Sequence, residues 1–255
     1  MIKPILNQFI TFREQGRKAF AVLIDPDDVR MDEFPSLLKR AQEEQVDFFF
    51  LGGSLITQFQ MGEIIALIRE YTKIPVVLFL GSNMHVHPSA DAVLFLSLIS
   101  GRNPEYLIGQ QVVAAPMLKK SGLEILPTGY LLIDAGQQTT ASYMSHTTPI
   151  PNNKPAVAAC TAMAGEMLGL RLTYMDAGSG ALKSITPEMI AAVRQSVETP
   201  LIIGGGIDSA QKAKIALQAG ADVVVVGNGI EKNPDLLPEI AATVRAMNEK
   251  LAVNL

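Results

Sequence analysis

Cysteine is almost absent from this sequence: Cys160 stands alone among 255 residues. That excludes an internal disulfide and any metal site built on several thiolates, and it fits a reducing compartment. Histidine is scarce too. A zinc site takes at least three protein ligands, and the pair His85 and His87 has only His146 to complete it. Basic charge is not in excess, because 21 Lys and Arg against 25 Asp and Glu leave a net charge of −4. This argues against nucleic acid as a partner, since its phosphate backbone calls for a basic surface. No run approaches about 18 consecutive apolar residues, the length a bilayer-spanning helix needs. Residues 1–8 show no signal-peptide pattern, so the expected location is the cytoplasm. No lysine falls on a predicted strand, which leaves a Schiff-base mechanism without a nucleophile. Cys160 falls in a predicted helix and reads as a packing residue rather than a catalytic one.

What is present is core-forming sequence, 48% hydrophobic, with a regular alternation of short apolar runs and helix-length segments. The runs at 19–25, 47–54, 75–82, 92–98, 124–133 (a strand from Thr128 onward), 171–176, 201–206 and 223–226 read as strands buried on both faces. Helical periodicity fills 2–16, 31–44, 57–71, 104–118, 156–168, 187–197, 209–219 and 235–250. The polar stretch 134–154 breaks the rhythm and has the length of a lid or a disordered segment. Eight such strands with crossover chain close most simply into a (β/α)8 barrel, possibly modified, of one domain over 1–255. An open doubly wound sheet would leave the apolar run 223–226 as an uncovered edge.

In such barrels the working residues lie at the carboxyl ends of the strands. Gly204–Gly206 and Gly227-Asn228 end the seventh and eighth strands, where barrels of this kind bind phosphate through backbone N–H groups. Asp25 ends the first strand and can hold Mg²⁺ together with a hydroxyl such as Ser54, or it is simply a turn residue before Pro26. Asp27 and Asp28 read as caps of the helix that follows. On the sixth strand Leu172, Tyr174 and Asp176 share a face, just before Gly178-Ser179-Gly180. A carboxylate in that place can take a proton from a substrate hydroxyl, or it forms an ion pair at the barrel rim.

Taken together, Leu23-Ile-Asp-Pro-Asp27, Leu51-Gly-Gly-Ser54, the run from Tyr174 to Ala181, Gly204-Gly-Gly-Ile207 and Val226-Gly-Asn228 resemble the geranylgeranylglyceryl phosphate synthase family. That family includes the bacterial heptaprenylglyceryl phosphate synthases. The resemblance implies a modified barrel that joins the C3 hydroxyl of sn-glycerol 1-phosphate to a polyprenyl diphosphate, such as geranylgeranyl diphosphate, and releases pyrophosphate. It implies Mg²⁺ on Asp25 and Ser54. It implies glycerol phosphate held by Tyr174, Met175, Asp176, Ala177, Gly178, Ser179, Gly180, Gly205, Gly206, Gly227 and Asn228. Asp176 takes the place of the general base, a Glu in many members, with Tyr174 beside it. Leu23 stands where some bacterial members carry a phosphate-contacting Lys. The helix 104–118, with Ala114, lies where the family limits prenyl length. A homo-oligomer, and membrane contact only through the lipid substrate, are the partner expectations. The glycine clamp alone also fits a sugar-phosphate isomerase or lyase, an FMN-binding barrel oxidoreductase, or a phosphate binder without turnover.

Overall fold

A computed structural model describes residues 4–253, and its eight parallel strands close into a barrel in chain order, β1-β2-β3-β4-β5-β6-β7-β8. The strands are β1 (Ala19–Ile24), β2 (Phe48–Leu51), β3 (Val76–Leu78), β4 (Ala92–Leu98), β5 (Glu124–Leu132), β6 (Leu172–Asp176), β7 (Leu201–Gly204) and β8 (Val223–Val226). Closure comes from β8 pairing with β1, Ala19 opposite Val223 through Val22 opposite Val226. The apolar run 223–226 is thus paired on both sides and has no free edge.

Strand alternation builds two concentric cores. One residue set points into the barrel, where Ala19, Ala21, Phe48, Phe50, Val77, Leu94, Leu126, Tyr130, Leu172, Tyr174, Ile202, Val223 and Val225 pack together. The other set, including Phe20, Val22, Phe49, Leu51, Val76, Met175, Ile203 and Val224, packs outward against the helices. Helix α1 (Ile5–Glu14) plugs the amino-terminal pole, with Phe9 stacked on Phe48 at 4.5 Å between ring centroids. The start predicted for this helix at Ile2 lies outside the described residues.

The outer layer is α2 (Phe34–Glu43), α3 (Met61–Tyr71), α4 (Gln110–Ser121), α5 (Thr140–Ser145), α6 (Pro155–Met167), α7 (Pro187–Arg194), α8 (Ala210–Ala219), α9 (Asn228–Lys232) and α10 (Leu236–Val253). The barrel is modified in one place. Between β3 and β4 the chain forms only a 3₁₀ turn, Asn83–His85, where the regular pattern has a helix. Gly81 and Pro88 account for the lack, since both residue types punctuate helical segments. A π-turn, Glu105–Gly109, leads into α4.

Three expectations need correction. Strand β5 begins at Glu124, not Thr128, because Pro127 gives up only one N–H while its carbonyl still accepts from Arg171 N at 2.8 Å. The stretch 134–154 is ordered. Thr139 caps α5 in a capping box with Ser142, and Ile133 bridges Ile150. Cys160 is exposed on α6 and packs into no core.

Candidate active site

The inward register that fills the barrel also places the chemistry at its carboxyl-terminal mouth. Continuing β1 inward brings Asp25 to the rim, β2 brings Ser54, β6 brings Tyr174 and Asp176, β7 brings Gly204 and Gly206, and β8 brings Gly227. One polar pocket is lined by Asp25, Ser54, Tyr174, Asp176, Gly178, Ser179, Gly180, Gly205, Gly206, Gly227 and Asn228. Met175 and Ala177 are the exceptions among the expected site residues. Both side chains are buried in the outer core, because alternation turns them away from the pocket.

The glycine end of this pocket is built for close approach. Gly205 has φ +78°, and a Cβ there would lie 2.6 Å from Ala177 N, Gly178 N and Asp176 Oδ1. Gly206 and Gly178 are also left-handed, at φ +68° and +87°. Ser179 donates to Asn228 Oδ1 at 3.0 Å, tying the β6 loop to the first turn of α9. Ser184 donates to Gly206 O at 2.7 Å and supports the β7 turn from behind. Amide groups gathered in this way make a cradle for an anion.

Asp176 lies at the pocket floor, 7% exposed. Tyr130 donates to its Oδ2 at 2.6 Å, and Gly178 N donates to its Oδ1 at 2.7 Å. Burial raises its pKa above the usual carboxylate range, and these two hydrogen bonds pull the other way. Tyr174 lies beside it with its hydroxyl 2.6 Å from where a Cβ on Gly204 would stand. Burial and the neighbouring Asp176 hold both tyrosines protonated, well above their ordinary value.

Asp25 accepts from Asp27 N at 3.1 Å. Its pKa is raised, first by burial and then by the adjacent charges of Asp28 and Asp27. Gly53 leaves this carboxylate open, since a Cβ there would stand 2.9 Å from Asp25 Oδ2. Asp27 does not cap α2, which starts seven residues later. It accepts from Thr57 N, Thr57 Oγ1 and Gln58 N and so ties the β1 loop to the β2 loop. Asp28 is exposed and caps nothing either, since α2 has no side-chain cap. Among the described residues no group of three or more His, Cys, Asp or Glu is placed to hold a metal ion, and His85 and His87 belong to no such group.

A second, apolar cavity opens beside the first where β3, β4 and β5 face the π-turn, α4 and α5. Phe79, Leu80, Leu94, Leu96, Tyr130, Leu132, Ala114, Leu118 and Met144 line it. Gly53, Ser54 and Phe79 line both cavities, so the two meet beside Asp25 and Asp176. The missing helix after β3 leaves this side open, and α5 from the former loop supplies a wall.

Sequence reasoning missed Tyr130, Glu231 and Lys232. Tyr130 had a signal: an apolar strand carrying an inward tyrosine needs an acceptor for its hydroxyl. Glu231 and Lys232 line the polar pocket from α9, three and four residues after Asn228 and so on its side of the helix. Burial and the charges of Asp28 and Asp25 push Glu231 up to about 7.

Glycine turns at the ends of β6, β7 and β8, set over a buried carboxylate, define a phosphate-binding barrel enzyme. Within that class, the chain belongs to the PcrB family, whose model matches residues 12–246. It is 60% identical over 240 residues to the geranylgeranylglyceryl phosphate synthase of Spirosoma linguale, covering 94% of this chain and 96% of that one. Identity to the archaeal enzyme of the same name from Korarchaeum cryptofilum is 39% over 239 residues, covering 94% and 96%. Among solved structures, (S)-3-O-geranylgeranylglyceryl phosphate synthase from Thermoplasma acidophilum, in complex with its substrate sn-glycerol-1-phosphate, superposes with a TM-score of 0.90 at 31% identity. That match covers 96% of this chain and 100% of the other.

Proposed function

We propose that this chain is a prenyltransferase that joins the C3 hydroxyl of sn-glycerol 1-phosphate to a polyprenyl diphosphate, with geranylgeranyl diphosphate the first choice. The observation that carries the reading is the meeting of a polar, amide-lined pocket with an apolar cavity at Gly53, Ser54 and Phe79. A reaction between a phosphorylated polyol and a long allylic chain needs those two environments side by side. The relatives' names support the same substrates.

Gly205, Gly206, Gly227 and Asn228, with Ser179, hold the phosphate of glycerol phosphate, and that hold turns the free hydroxyl toward the seam between the cavities. Asp176 takes the hydroxyl proton. The oxygen forms a bond to the allylic carbon as the carbon–oxygen bond to diphosphate breaks, and the electron pair leaves with pyrophosphate. Tyr174 forms the floor under the reacting hydroxyl. The apolar cavity holds the prenyl tail, with Ala114 and Leu118 of α4 along its wall.

Asp25 and Ser54 fit Mg²⁺, an ion that takes one or two protein oxygens plus ligand phosphate and water. The carboxylate is half-buried next to two further acids, and no ion pair reaches it among the described residues. Held there, the ion would supply positive charge to the diphosphate leaving group. Membrane contact through the lipid substrate and a cytoplasmic location belong to the same reading. Among the described residues no helix is long and apolar enough to cross a membrane. The exposed apolar side chains Val112, Val113 and Met117 on α4 support a homo-oligomer, which light scattering tests.

The test is transfer of labelled sn-glycerol 1-phosphate into organic-extractable product, with diphosphates of several prenyl lengths, in Mg²⁺ and in chelator. Mg²⁺-dependent transfer is the expected result. Retained glycerol phosphate binding without transfer from any prenyl diphosphate would point to a sugar-phosphate enzyme instead.

A further inference from the structure

Tyr130 has been given no role so far, yet it lines one cavity and reaches into the other. Its ring lines the apolar cavity, and its hydroxyl reaches Asp176 at the floor of the polar one. Strand register sets this up. Tyr130 pairs with Tyr174 and Leu132 with Asp176, so Tyr130 lies one strand over and two residues back from the carboxylate. The ring is fixed by Phe79 at 5.9 Å and Tyr174 at 5.4 Å between centroids.

We propose that Tyr130 is a positioning residue for the transfer reaction: its hydroxyl locks Asp176 Oδ2 at the seam between the two cavities. The proposal rests on the prenyltransferase reading. With Gly178 N on the other oxygen, each carboxylate oxygen accepts one hydrogen bond from the protein. A carboxylate has about four acceptor sites, so each oxygen keeps one free for a substrate hydroxyl while the group cannot rotate. No cation pairs with Asp176 among the described residues. The two donors are therefore what stabilises its charged form against burial. Tyr174, on the same strand, contributes no charge at ordinary pH. The other ionisable groups lining this pocket are Asp25 on the β1 end, Asp208 after β7, and Glu231 and Lys232 on α9. A purely structural role, in which the buried phenol simply needs an acceptor, makes a different prediction.

Tyr130→Phe keeps the ring and deletes the donor. The expected result is a kcat about 10- to 100-fold lower at neutral pH, as for loss of a hydrogen bond to a charged group, with KM for sn-glycerol 1-phosphate within about twofold. The acid limb of the kcat profile should move up by about one pH unit or more. In an Asp176→Asn background, Tyr130→Phe should cost nothing further. Replacing Tyr130 with 3-fluorotyrosine, a more acidic donor of nearly the same shape, should move the acid limb down, and it serves if the phenylalanine variant folds poorly. An unmoved acid limb in both variants, or losses that multiply in the double variant, would overturn the proposal. If the wild type transfers no prenyl group, the prenyltransferase reading fails. Titration of the Asp176 carboxyl carbon by NMR in wild type and Tyr130→Phe then still decides whether the hydroxyl holds that carboxylate.

Discussion

The two poles of the barrel treat buried carboxylates in opposite ways. At the amino-terminal pole three acids are paired with arginines and put to structural use. Asp222 accepts from Leu201 N and pairs with Arg194 at 2.9 Å. Asp47 accepts from Phe20 N and pairs with Arg17 at 2.5 Å. Asp91 accepts from Val76 N and pairs with Arg69 at 2.7 Å. Each acid stands immediately before a strand and secures the first or second N–H of the neighbouring strand. Glu124 does the same for α1, accepting from Ile5 N and Leu6 N. At the carboxyl-terminal pole Asp25 and Asp176 have no ion pair among the described residues; burial raises the pKa of both, as it does for Asp47 and Asp222, but no arginine works against it. The first pole spends its charges on holding strands in register. The second leaves them without a charged partner, at some expense in stability, which is the state that the proposed cation and proton-transfer roles require.

Substitutions at either pole should therefore separate activity from stability. The largest effect belongs to Asp176→Asn, which should lower kcat by roughly 10²- to 10⁴-fold while glycerol phosphate still binds by calorimetry. The same variant should melt higher than wild type at neutral pH. Asp176 has a folded-state pKa raised above its unfolded value, so its ionisation weakens the fold as pH rises past the ordinary carboxylate range, near 4. The melting advantage should accordingly vanish at lower pH, where both states are protonated. Asp222→Ala reverses the pattern. Leaving Arg194 and Leu201 N without their partner should remove about 3–5 kcal/mol of stability in denaturant titrations, with kcat/KM unchanged in the protein that remains folded. Gly205→Ala comes next. Its Cβ would collide with two backbone nitrogens at 2.6 Å in a left-handed conformation, which should weaken glycerol phosphate binding and lower stability by about 1–3 kcal/mol. Glu198→Gln should do least. Its pair with Arg13 lies near the amino-terminal pole with the Glu side chain 89% exposed, and such pairs contribute under about 1 kcal/mol.

The barrel was legible because its strands are short, apolar on both faces and separated by helix-length chain, a pattern that few other folds bury. The pocket was legible for a related reason. Period-two alternation extends past each strand end, so Asp25, Ser54, Tyr174, Asp176 and the glycines converge once the barrel closes. Applied strictly, the same rule would have removed Met175 and Ala177, which sit on the outward register. What escaped reading was non-local. Asp27 looked like a helix cap because Pro26 and a helical segment flank it, whereas its partners Thr57 and Gln58 come from the next loop. The connection after β3, by contrast, was read without a helix, and only the 3₁₀ turn Asn83–His85 forms there. Tyr130 escaped because its acceptor lies on another strand, 46 residues away.

The most direct test of this account is a crystal structure of the wild-type protein with sn-glycerol 1-phosphate and Mg²⁺. The phosphate should lie on the amides of Gly205, Gly206, Gly227 and Asn228, with the C3 hydroxyl within hydrogen-bond distance of Asp176 and the ion on Asp25. A phosphate bound elsewhere, or a C3 hydroxyl turned away from Asp176, would contradict it.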